Sequence, residues 1–223
     1  MLSLFKSLLI LHIAGGTAGL ISGTIASSAK KGSKLHKISG VVFFWGMLIA
    51  SLDALVLSNL PEHHNLFLFA VGGFTLYMIS SGYRIVYVKR KLKQPIHSFA
   101  LLDYAIPVFG LLFGLFLLIM GALTMREGSS FGIVPIVFGL ISINFARKDF
   151  ILLSGKESVK ASWMRNHIIR MMGAMIASYT AFLVVNVKFQ PNWVLWLAPT
   201  LVGSVLITYF VRKYTTHKKK QTD

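Results

Sequence analysis

Long apolar runs separated by short basic or turn-forming segments dominate this chain. A helix needs about 20 mostly apolar residues to cross a hydrocarbon core about 30 Å thick. Seven runs meet or approach that length: 4–28, 38–60, 66–88, 99–123, 131–146, 168–187 and 193–211, the fifth being the shortest. The pattern predicts an all-α, polytopic transmembrane bundle of seven spans. The intervening segments 30–37, 61–65, 89–98, 125–130, 147–167 and 188–192 carry the charges and breakers. Residues 1–212 form one membrane domain in this reading, and 213–223 a basic cytoplasmic tail with His217 and Lys218 to Lys220. Segment 147–167 is long for a connection and contains Phe150, Ile151, Leu152 and Leu153, so part of it is expected to lie on the inner membrane surface.

Charge fixes the expected orientation. Of 23 Lys and Arg, all but Lys6, Arg126 and Lys188 fall on one side of the alternating scheme. Basic residues near membrane ends accumulate on the cytoplasmic side, which puts the N-terminus out and the C-terminus in. A cleaved signal peptide at the N-terminus would invert every later loop against this bias, so the first run is read as a retained helix. The expected location is a bacterial inner membrane, crossed many times, with anionic lipid headgroups against the basic inner loops.

Composition agrees. Of 223 residues 55% are hydrophobic and 13% charged, with mean hydropathy +0.68, against roughly a quarter charged in soluble domains. A net charge of +16 would suggest nucleic acid in a soluble chain. Here it is split among short membrane-end loops, and no nucleic-acid partner is expected. With no cysteine, disulfides, thiolate metal sites and a cysteine nucleophile are excluded.

Small residues predict close helix contacts. Gly15, Gly19 and Gly23 leave one strip of the first span without bulk, and Gly173, Ala177 and Ala181 do so on the sixth. Packing inside one chain is the primary reading, and a seam between two copies the other. Pro107, Pro135 and Pro199 interrupt backbone hydrogen bonding within their spans.

Ionisable groups at membrane depth cost at least about 2.5–3.5 kcal/mol near a helix centre, so they need partners or water. Asp53 sits about 10 Å inside the second span and His12 at a similar depth in the first, which suggests a buried outer pair. At the inner end Arg84 and Asp103 flank one short connection and read as natural partners. His36, His97, His167, Arg170 and Asn144 gather at the same level, so His36, Arg84, Asp103, His167 and Arg170 form the candidate ligand site. Adjacent His63 and His64 in an outer turn are a weak chelating pair, and no metal site is expected.

Four phrases carry a family resemblance: Leu11-His-Ile-Ala-Gly-Gly, Lys34-Leu-His-Lys-Ile-Ser-Gly, Phe67-Leu-Phe through Ser81-Gly-Tyr-Arg, and His167-Ile-Ile-Arg-Met-Met-Gly through Thr180-Ala-Phe-Leu-Val-Val-Asn. Together they resemble the bacterial membrane proteins grouped as domain of unknown function 2306. The resemblance covers most of the chain, implies a multi-spanning membrane protein, and draws attention to His12, His36, Arg84, His167, Arg170 and Asn186. It implies no activity.

Several functions compete. The first is a small-ligand or proton binding, transport-like protein, with the inner cluster holding a polar or anionic ligand and His12 with Asp53 handling protons, since histidine titrates near neutrality. The alternative is a b-type haem electron-transfer protein with His36 and His167 as axial ligands, against which both stand at the ends of their expected helices. A zinc hydrolase using His36, Asp103 and His167 lacks a His-Glu-x-x-His motif. A non-catalytic subunit of a membrane complex needs none of these sites.

Overall fold

The computed structural model describes residues 2–91, 99–191 and 193–215. His97, His217 and Lys218 to Lys220 lie outside them. The described chain forms seven long helices: α1 (Leu2–Ser28), α2 (Lys34–Leu57), α3 (Leu66–Lys91), α4 (Leu101–Arg126), α5 (Ile133–Leu153), α6 (Val159–Asn186) and α7 (Trp193–Thr215), with a short 3-10 turn at Ser130–Gly132 leading into α5. All seven are long and apolar enough to cross a membrane, which is compatible with a multi-pass membrane protein.

The helix ends depart most from expectation between α5 and α6. Rather than a separate surface segment over 147–167, both helices continue into that stretch and only 154–158 connects them. Arg147 and Lys148 do not stop α5, because the apolar run Phe150 to Leu153 behind them still has something to pack on. Leu152, Val159 and partly buried Trp163 join Ile85 and Val88 of α3 in a small apolar cluster. The stop comes at Gly155, whose φ of +74° is the left-handed conformation that commonly ends helices at glycine. Likewise α2 begins at Lys34, four residues before the apolar run, because the Ser33 side chain accepts a hydrogen bond from the His36 N–H and satisfies an otherwise orphaned donor.

Helix α3 lies at the centre, with Ala70, Tyr77 and Ile79 wholly buried. The main core joins Val71, Phe74, Met78 and Ile79 of α3 to Phe43 and Met47 of α2 and to Ala174 and Ala177 of α6. Small residues set the other seams. A Cβ on Gly46 of α2 would lie 2.8 Å from the Gly15 carbonyl of α1, so these two backbones touch directly, as the small strip of α1 predicts. Gly114 of α4 and Gly139 of α5 meet in the same way. The sixth-span strip packs inside the chain, where Ala177 is buried in the main core.

Candidate functional site

Two ion pairs organise the end of the bundle where α3 passes to α4 and α5 to α6. Arg84 of α3 donates from Nε to Asp103 Oδ1 at 2.6 Å and from Nη2 to Oδ2 at 3.2 Å, a two-pronged contact across the 92–98 connection. Asp103 Oδ2 also accepts the Ala100 N–H at 2.7 Å, so the carboxylate caps α4 as well. Arg170 of α6 pairs with Asp149 of α5 at 2.5 Å. Its guanidinium also donates to the Phe145 carbonyl at 3.1 Å and to the Tyr77 hydroxyl at 3.2 Å, and lies 4.1 Å from the Phe145 ring centre. Tyr77 and Ser81 of α3 both donate to Asp149 Oδ2, at 2.7 and 3.0 Å. This closed network ties α3, α5 and α6 around one buried charge, and burial of an ion pair is tolerable only when its remaining hydrogen bonds are made.

By sequence Asp149 falls in the expected 147–167 connection, and neither Tyr77 nor Ser81 stands out as a candidate. The available signal was the apolar run following Asp149, which marks continued helix. Asn144, expected in the cluster, is exposed on α5, and Asn186 donates to the Phe182 carbonyl of its own helix. The arginine charges are therefore matched by carboxylates and do not pool into one basic pocket. A water-sized cleft of about 40 Å³ lies between the pairs, lined by Ser81, Arg84, Asp103, Asp149 and Asn166 among others.

The histidines follow a different rule. His12 Nδ1 bonds the Ala50 carbonyl of α2 at 2.8 Å, His36 Nδ1 the Ala26 carbonyl of α1 at 2.9 Å, and His167 Nδ1 the Gly82 carbonyl of α3 at 2.8 Å. A carbonyl only accepts, so each Nδ1 carries the proton and, in the neutral ring, each Nε2 keeps its lone pair. This second-sphere arrangement is the one that orients metal-binding histidines.

His36 and His167 come together, with ring centres 6.5 Å apart and planes at 83°. His167 is no longer at a helix end, because α6 starts eight residues earlier at Val159. Beside the pair, a Cβ on Gly40 would meet nothing within 4 Å. Gly40 lies one turn from His36 on α2. One turn further, Phe44 stacks on Tyr83 of α3 at 4.3 Å, next to the Gly82 that anchors His167. His36, His167 and Asp103 do not assemble into a zinc trio: among the described residues no three His, Asp or Glu gather to hold an ion, and Asp103 is taken by Arg84.

At the opposite end of the bundle, His12 bonds the Ala50 carbonyl, and it also lies near enough to Asp53 to act on it electrostatically. Asp53 is 8% exposed, and its Oδ2 has no hydrogen-bond partner among the described residues. His63 packs on Phe5 and bonds the Pro61 carbonyl of its own turn.

No family model, no curated protein and no solved structure matches the chain.

Proposed function

We propose that this chain is a redox protein of the bacterial inner membrane that holds a b-type haem between His36 and His167. The N-terminus is outside and the C-terminus inside in this reading. Membership of the family it resembles is part of the same proposal.

The carrying observation is the His36–His167 geometry. The rings lie 6.5 Å apart with planes at 83°, near enough for His36 and His167 to hold one metal ion together. With only these two protein donors at hand among the described residues, the ion would need to bring donors of its own, as a haem iron does. The Nδ1 bonds to Ala26 and Gly82 leave both Nε2 atoms available, and the opening beside Gly40 gives a flat group room on the histidine face of α2. When bound, haem accepts and releases single electrons. The chain's part is to fix the two rings and keep their tautomers. A transport-like role for the inner cluster has less support, since both arginines are occupied by carboxylates.

The test is an oxidised-minus-reduced visible spectrum of protein purified in mild detergent from haem-sufficient cells. A near-stoichiometric b-type spectrum is expected, abolished in His36→Ala and in His167→Ala and unchanged in His12→Ala. A colourless, folded wild-type protein overturns the reading.

A further inference from the structure

We infer that Lys31 is the anion-binding group of this site and receives a carboxylate of the molecule held between His36 and His167, a haem propionate on the reading above, on which this inference rests. Lys31 lies in the turn between α1 and α2. Its ammonium donates to the carbonyls of Ser27 at 2.5 Å and Ala26 at 3.1 Å, at the C-terminal end of α1, where a cation is favoured. The Ala26 oxygen is the same atom that accepts from His36 Nδ1. One backbone atom therefore holds the lysine charge and the ligand ring within about 6 Å of each other. The ammonium also sits 4.4 Å from the centre of the Phe210 ring, which brings α7 over the same corner.

Lys31 is short of a counter-charge. An ammonium has three donors, and the carbonyls take two. Every described carboxylate at the inner end is bonded to an arginine: Asp103 to Arg84, Asp149 to Arg170 and Glu157 to Arg165. Burial draws the Lys31 ammonium below the usual lysine range, as expected for a charge partly removed from water. A cation beside two metal-ready imidazoles, with no carboxylate bonded to it among the described residues, fits a ligand whose reactive centre lies between the rings and whose edge is anionic. A propionate has that chemistry, and so does a phospholipid phosphate sitting on the corner alone.

Full-length protein from haem-deficient cells, purified in detergent, separates these sources. It is titrated with haem and with haem dimethyl ester, whose carboxylates are masked, and its bound lipid phosphorus is measured. Wild type is expected to prefer the free acid by about tenfold, the worth of one charge-assisted contact. Lys31→Gln should bind both forms equally with the same bis-histidine spectrum, and Lys31→Arg should keep the preference. An unchanged preference in Lys31→Gln overturns the inference, as does a loss of bound phosphorus with the preference intact, which assigns the corner to lipid. Failure of wild type to bind either form defeats the His36–His167 reading itself and this inference with it, and is recognised by the missing spectrum.

Discussion

Arg170 and Asp149 meet at 2.5 Å with the arginine side chain only 2% exposed, and Arg170 stands one turn from His167 on the same helix. Removing one member of such a pair strands the other, which costs about 3–5 kcal/mol. Asp149→Ala is expected to lower the thermal unfolding temperature of the purified protein sharply and to disturb the visible spectrum through His167. The double replacement Arg170→Met with Asp149→Leu should recover part of the lost stability, because no charge remains buried. Equal losses in single and double variants would show that water already solvates the pair.

Two glycines on α2 should behave in opposite ways. Gly46 touches α1 backbone, 2.8 Å from the Gly15 carbonyl and 2.9 Å from the Gly19 nitrogen for an added Cβ, so Gly46→Ala is expected to cost about 1–3 kcal/mol by overpacking. Gly40 has open space, so Gly40→Leu should leave the melting temperature nearly unchanged while reducing the haem-to-protein ratio. If Gly40→Leu retains full haem, the opening is not part of the site.

Lys31 gives a pH dependence of definite sign. It must be protonated to hold a carboxylate, and burial places its pKa below the ordinary lysine value. The preference for haem over its diester should be full at neutral pH and fade as pH rises, at a lower pH than a free lysine near about 10.4 would allow. Without a bound anion, the folded protein carries a cost for the buried ammonium that is present at neutral pH and relieved as pH rises through the lowered pKa, since the unfolded state then binds more protons. Spectroscopic titrations and melts across pH, with Lys31→Gln as reference, measure both effects.

One buried oxygen of Asp53 has no hydrogen-bond partner among the described residues, and such a group costs about 1–3 kcal/mol or more. Asp53→Leu is therefore expected to raise the unfolding temperature. A lowered temperature would mean that the carboxylate has a compensating partner in the membrane.

The absence of cysteine makes orientation easy to measure. Glu62→Cys should react with a membrane-impermeant maleimide on intact cells, and Ser154→Cys only after the membrane is opened. The reverse pattern would invert the assigned orientation.

The sequence by itself determined the number of helices, and it named His36, His167 and the Arg84–Asp103 pair. These rest on local quantities: an apolar run long enough to span, a charge near its end, two ionisable residues across a short connection. Its least reliable boundary was 147–167, where charge suggested a connection and packing of Leu152, Val159 and Trp163 against α3 decided for helix. Only the tertiary structure decided that Arg170 belongs to Asp149, that Gly46 is a contact and Gly40 an opening, and that Ala26 and Gly82 orient the two imidazoles. Those facts depend on which helices meet and at what depth. The acceptors that fix the histidines are backbone carbonyls, which every residue carries, so no residue type could announce them before the helices were brought together.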